Sequence, residues 1–469
     1  MKSQFKNRLI NFLTIVSILF SINLQAQENE GKINKEIINE FVKKSSNLLK
    51  EKYIFPEVAE KISVHINDKN KEGFFDNLTD PKEFAEVMTE EMQSISNDKH
   101  MRVHVKSINN TLEPEAPNPL KNIYKTESQF KSINFGFTKL EKIKGNIGYL
   151  KLDGFAPLHA AKDYADLAMK YLSTSDAVII DLRENNGGSP DLVQYICSYF
   201  FEEPTHLNSL YNRVSNDTAH FVSLEKVDGK KMPDIPLFVL TSSKTFSAGE
   251  EFAYNIQTQK RGTLIGETTG GGANPGQLFN VTKNLGVFIP TGMAINPITK
   301  TNWEGIGVKP DIETTTEEVL EKAITLAEQS AEKYKTEKDK IMLNYIDEIN
   351  SKIEEAEKLF DENKEIQKVA SIIKIALDLG LRENLIDEMF INFLGYQKLF
   401  DEKYSMAVEI FKYNVNAFPN TANTYDSLGE AYLKIGDKVN AIINYKKSLE
   451  LDPENDNAKE MLIKLNNES

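Results

Sequence analysis

The chain has 469 residues, of which 40% are hydrophobic and 27% charged, with a formal net charge of -14 at pH 7. That length calls for two or three folded units, and the apolar share excludes a wholly disordered polymer. The acidic balance excludes a tight nucleic-acid binder, which needs clustered Lys and Arg against phosphate. A single cysteine, Cys197, excludes an internal disulfide framework and reads as a small core residue.

In chain order, Lys2, Lys6 and Arg8 precede an interrupted apolar run from Leu9 to Leu24, and Ala26 precedes a polar stretch. A basic start, a short apolar core and a small exit residue describe a removable export signal over residues 1–26. The expected location is therefore periplasmic or extracellular, with no stable membrane span left after removal. Residues 27–110 read as an N-terminal helical cap. Within it, Ile33, Ile37, Ile38, Phe41 and Val42 recur at helical spacing over 33–70, and Asp80–Pro81 opens a second helix with Phe84, Val87, Met88 and Met92 on one face. This segment ends in an Asp98-Lys99-His100 motif. Residues 111–135 read as a linker.

Residues 136–320 change character. Strand-like runs at Ile147–Leu152, Ala177–Leu182, Leu237–Thr241, Thr263–Gly266 and Val287–Ile289 alternate with helical patterns at Ala160–Leu172, Pro190–Phe200 and Ala248–Gln257. Such alternation predicts an α/β domain with substantially parallel pairing. Residues 321–387 form a charged helical connector. In 388–469, Leu394 and Leu428, Gly395 and Gly429, Ala407 and Ala441, Phe411 and Tyr445, and Pro419 and Pro453 each repeat at one common spacing. That period looks like tetratricopeptide repeats, which usually offer a face to a protein partner. An ordinary pair of helical hairpins is the plainer alternative.

Two segments carry chemistry. Val178–Pro190 reads VIIDLRENNGGSP, so a buried strand delivers Gly187 and Gly188 at its carboxyl end, where α/β sheets bind ligands. A glycine-rich turn without function is equally compatible with it. Leu240–Phe252 reads LTSSKTFSAGEEF, a strand leading through a turn to Ser247 and at once into a helix. There the Ala248 N–H lies at a helix N-terminus, where unpaired donors suit a developing oxyanion. Taken alone, Ser247 is as readily a helix N-cap.

These segments, together with GETTGGGANPG over 266–276 and NWEGIGVKPDI over 302–312, closely resemble the tail-specific peptidase family. That family includes C-terminal-processing peptidases, the tricorn core protease and interphotoreceptor retinoid-binding proteins. The resemblance implies a crotonase/ClpP-like α/β peptidase core and hydrolysis of peptide bonds through an acyl-enzyme. It places the nucleophile on Ser247 and the oxyanion donors on the backbone N–H of Ala248 and of Gly187 or Gly188. The processing branch draws its base from a lysine in the glycine-rich segment, and Gly270–Ala273 holds none. The tricorn-like branch uses a histidine from an Asp-x-His motif and a later glutamate, which implies His100 as general base and Glu304 as its partner. Lys99 departs from that branch, which has serine there. Lys244 could reach the hydroxyl, although a lysine there is more often solvated, and Asp181 is expected to organise its turn. Residues 106–145 are too few for a PDZ domain. No metal or organic cofactor is implied; the expected partners are a peptide or protein substrate and a protein on the repeats. The competing reading is a non-catalytic ligand- or protein-binding chain on the same fold.

Overall fold

The computed structural model describes residues 32–106, 124, 128–363 and 365–467. The export signal expected over 1–26 and much of the expected linker lie outside the described residues. The chain divides into two compact units, Met1–Lys335 and Thr336–Ser469.

Among the described residues, the first unit opens with three helices, α1 (Lys35–Lys52), α2 (Pro56–Lys71) and α3 (Pro81–Ser96). The stretch read as helical over 33–70 is broken at Tyr53–Phe55. Pro56 lacks the N–H that would continue a helix and instead takes the first position of α2. Asp80 caps α3 by accepting the Lys82 and Glu83 N–H at 2.7 and 3.0 Å. The apolar faces of these helices, including Phe41, Ile62, Phe84 and Met88, bury against Leu285, Val287 and Ile289. Those three belong to an antiparallel sheet ordered β1 (Arg102–Val105), β10 (Leu285–Pro290) and β9 (Gly276–Asn280). The strand expected at Val287–Ile289 thus lies under the helical cap and not in the parallel sheet. Its apolar run signals burial but not which sheet it joins.

The main sheet has six strands in the order β12 (Ile312–Glu313), β8 (Thr263–Gly266), β7 (Leu237–Thr241), β4 (Ala177–Asp181), β3 (Ile147–Leu152) and β2 (Phe137–Ile143). All neighbours pair parallel except β2 with β3. Both of its faces are covered, which is why β4 and β7 read as unbroken apolar runs. One face packs on α4 (Leu158–Leu172), α5 (Pro190–Ser198) and α6 (Ala248–Thr258). The other packs on Val319, Ala323, Ala327 and Ala331 of α7 (Val319–Asn363). Each fully buried Ile or Leu contributes about 1.5–3 kcal/mol. A further antiparallel sheet, ordered β11 (Gly292–Ile295), β5 (His206–Asn212) and β6 (Asp217–Val222), was not legible in the sequence. Because β4 and β7 are parallel neighbours, the loops leaving their carboxyl ends lie side by side.

The second unit is helical. It holds α8 (Ile366–Arg382), α9 (Glu388–Phe400), α10 (Tyr404–Ala417), α11 (Ala422–Lys434), α12 (Lys438–Leu451) and α13 (Asp456–Asn467). Equivalent rings fill equivalent gaps: Phe411 lies against Gly395 and Tyr445 against Gly429. No helix among the described residues is long and apolar enough to cross a membrane.

Candidate active site

Ser247 stands between β7 and α6 with φ 54° and ψ -118°. A side-chain-bearing residue avoids that region, so surrounding contacts must hold it. The chief one is Glu250, fully buried, whose Oε2 accepts the Ser247 N–H at 2.9 Å. The same carboxylate accepts Thr269 Oγ1 at 2.5 Å and the N–H groups of Gly271 and Gly272 at 2.6 and 2.8 Å. Burial pushes the Glu250 carboxyl up to about 7, against the pull of these hydrogen bonds. Glu250 thus ties the serine turn to the glycine-rich loop. Its signal was the Ser-x-x-Glu spacing of a capping box, which the sequence reading did not use.

The loop after β4 runs directly beside this turn. Asn185 organises it, donating from Nδ2 to Leu152 O at 2.7 Å and accepting the Gly187 N–H on Oδ1 at 2.9 Å. Gly187 and Gly188 have φ of 99° and 138°. A Cβ on Gly187 would lie 2.7 Å from Ser247 Cβ, and one on Gly188 only 2.0 Å from Phe155 O. Only glycine therefore fits either position. The two amides are not equivalent. The Gly187 N–H is committed to Asn185, whereas the Gly188 and Ala248 N–H groups have no hydrogen-bond partner among the described residues. Of the donors expected from sequence, the Gly187 N–H is thus already paired, which leaves those of Gly188 and Ala248.

His100 arrives from the helical cap. Asn97, in the left-handed region, ends α3 and turns the chain into Asp98. Asp98 is 1% exposed. Its Oδ1 accepts the His100 N–H at 3.1 Å, and its Oδ2 accepts Tyr53 OH at 3.3 Å and Asn274 Nδ2 at 3.0 Å. The His100 ring lies 4.6 Å, centroid to centroid, from that of Phe246, the residue before Ser247. Its Cε1 would sit 2.7 Å from a Cβ built on Gly272. His100 Nδ1 is buried without a hydrogen-bond partner. Burial, with a smaller push from Arg102, lowers the imidazole to about 3, so it is neutral at ordinary pH.

Glu304 is held by the end of the glycine-rich loop. Its Oε2 accepts the N–H of Ala273 at 2.5 Å and of Asn274 at 3.0 Å, while Oε1 is buried and unpartnered. Trp303 steadies the turn by donating Nε1–H to Gly272 O at 2.8 Å. One side-chain atom from each of Asp98, His100 and Glu304 lies within 4.8 Å of the other two. Burial, then repulsion from Asp98, raises the Glu304 carboxyl to about 8, and burial raises Asp98 to about 6. An ionised Glu304 beside the ring works the other way on His100 and favours its protonated form.

The remaining candidates lie elsewhere. Lys99 Nζ donates to Gly270 O at 2.6 Å, and Lys244 Nζ pairs with Glu184 at 3.0 Å. Asp181 organises its turn as expected, accepting the Arg183 guanidinium and Tyr149 OH, and Cys197 is fully buried. No hydrogen bond joins the Ser247 hydroxyl to the imidazole.

Residues 146–314 match peptidase family S41, and residues 34–138 match the N-terminal domain of Peptidase_S41 in eukaryotic IRBP. The chain belongs to peptidase family S41. Among curated relatives, it is 27% identical over 179 residues to a carboxy-terminal-processing protease of Bartonella bacilliformis, covering 36% of this chain and 39% of that one. It is 28% identical over 181 residues to carboxyl-terminal-processing peptidase 1, chloroplastic, of Arabidopsis thaliana, covering 38% of this chain and 36% of that one. The chain thus spans about two-fifths of the length of these relatives. Among solved structures, the photosystem II D1 C-terminal processing protease aligns at 14% identity with a TM-score of 0.39, over 60% of this chain and 93% of that one. The S41 match covers five of the six strands of the main sheet and both loops beside Ser247, and the N-terminal match carries His100. The architecture is thus a mixed α/β S41 fold with helical regions before and after it.

Proposed function

We propose that the chain is an exported serine peptidase that cuts peptide bonds through an acyl-enzyme on Ser247. The observation that carries this reading is the strained serine turn, set beside two uncommitted amides and one residue from the His100 ring contact. Ser247 Oγ attacks the substrate carbonyl while His100 takes its proton. The oxygen that becomes negative is received by the Gly188 and Ala248 N–H groups. His100 returns the proton to the departing amine, and water then releases the acyl group by the same steps reversed. Glu304, ionised, stabilises the imidazolium formed on the way. The buried Nδ1 is the nitrogen assigned to Glu304, which leaves Nε2 for the serine.

We further read the six-stranded core as crotonase/ClpP-like and the tandem helix pairs of 388–469 as tetratricopeptide repeats that grip a protein substrate or partner. In support of the latter, α9 and α11 begin 34 residues apart, as do α10 and α12. The basic and apolar residues of 1–24 support export.

A second reading, a binding protein on this fold, is favoured by the missing hydroxyl–imidazole bond and by the IRBP-type N-terminal region. Labelling with a fluorophosphonate probe decides between them. The peptidase predicts covalent capture that vanishes in Ser247→Ala and falls sharply in His100→Ala. Folded, chelator-treated protein that takes up no probe would favour the binder instead.

A further inference from the structure

Asp98 and Glu304 bring two carboxylates together beside an imidazole, and neither makes an ion pair with Lys or Arg among the described residues. The nearby cations point away: Lys99 Nζ is bound to Gly270 O and Arg102 Nε to Lys99 O. Buried carboxylates are ordinarily balanced by a cation, a metal or a proton. Within the cluster, His100 Nδ1 and Glu304 Oε1 are each buried without a hydrogen-bond partner. Their counterparts are tightly held: Glu304 Oε2 by two backbone amides, Asp98 by three donors. The two carboxylates are thereby anchored, while His100 Nδ1 and Glu304 Oε1 stay unpartnered.

We propose that Asp98, His100 and Glu304 form a Zn2+ site, and that the ion, by occupying His100, reversibly silences Ser247. The silencing rests on the peptidase reading; the binding does not. One imidazole and two carboxylates suit zinc, which takes nitrogen and oxygen ligands at about 2.0–2.2 Å. The three atoms, within 4.8 Å of one another, must draw together around the ion, and the Glu304 carboxylate, anchored through Oε2, supplies little of that. The movement falls instead to His100, whose only polar tie is the backbone bond to Asp98. No sequence spacing signals this set, because Asp98 and His100 meet Glu304 only across the fold.

The strongest competitor for zinc is the pair His206 and His220, whose ring nitrogens both lie within 2.9 Å of Ser209 Oγ. Equilibrium dialysis of the full chain against Zn2+, with metal measured by mass spectrometry, separates the two. Uptake of about one equivalent that falls ten-fold or more in His100→Ala and Glu304→Gln, and persists in His220→Ala, supports the proposal. Zn2+ should also suppress fluorophosphonate labelling of the wild type, with full recovery on chelation. No uptake at micromolar zinc, meaning a shared proton alone balances the cluster, overturns it. So does uptake that is lost in His220→Ala and kept in His100→Ala. Zinc uptake in a chain that does not label even after chelation would leave this site standing and remove the peptidase reading.

Discussion

Gly187 lies so close to Ser247 that a Cβ on the glycine would stand 2.7 Å from the Cβ of the serine. The proposed nucleophile is thus packed against bare backbone, and the first prediction follows from that. Gly187→Ala must push the serine turn aside and also place a side chain at φ 99°. We expect the chain to fold and the labelling rate to drop about 100-fold, the usual result of a small misplacement. Gly188→Ala, set against Phe155 O, should instead cost about 1–3 kcal/mol, read by thermal melting. Unchanged labelling in Gly187→Ala would remove the close packing from the mechanism.

The pH dependence of labelling distinguishes the members of the proposed triad. The imidazole, lowered by burial to about 3, is already neutral across the working range and imposes no acid limb there. Glu304, raised by burial to about 8, must lose its proton before it can stabilise an imidazolium. The rate should therefore climb as pH rises through about 8, and Glu304→Gln should flatten that climb. A wild-type profile that rises near the ordinary histidine value of about 6.5 would contradict it.

Stability should move with pH in the opposite sense. Glu251, on α6 one turn beyond the serine, is 5% exposed, and burial raises its carboxyl to about 7. The folded state then holds the proton more tightly than the unfolded one. This contribution is complete below the unfolded value of about 4.3 and disappears as pH rises through about 7. The expected loss is on the order of 3 kcal/mol. Melting temperature should fall between pH 5 and pH 8, and Glu251→Gln should lessen the fall. Equal pH slopes in the two proteins would show that Glu251 does not titrate in this window.

Under the proposed mechanism, Asp98 is a positioning residue. Tyr53→Phe removes one of its three donors and should cost about 1 kcal/mol, with labelling little changed. Asp98→Ala also frees the His100 backbone and should slow labelling far more than it lowers the melting temperature. A labelling defect that merely tracks lost stability would make the residue structural only.

Removal of residues 388–469 tests the repeats. Processing of a folded protein substrate should weaken more than hydrolysis of a short peptide. Equal loss on both would deny the repeats a role in recognition.

The legible parts of the sequence were those with local patterns. Strands at Ile147–Leu152, Leu237–Thr241 and Thr263–Gly266 stand where their apolar runs place them, because strands buried on both faces leave little else for the run to mean. The serine turn was visible as a strand running straight into a helix. Tyr53, Asn274 and the opposed roles of Gly187 and Gly188 were not. Each depends on a partner distant in sequence or on which amide a single side chain, Asn185, accepts. His100 and Glu304 came only through a family resemblance, since a lone histidine or glutamate carries no period.

The tie from Tyr53 through Asp98 to Asn274 runs from the hydrophobic core under the helical cap to the glycine-rich loop, whose Ala273 belongs to the separate core of the main sheet. A nascent polypeptide that has collapsed only one of the two cores possesses a serine without its imidazole, or the reverse. Competence to cut would then be a late event in maturation, reached after both halves have docked, and a partly folded copy would be harmless to the proteins around it.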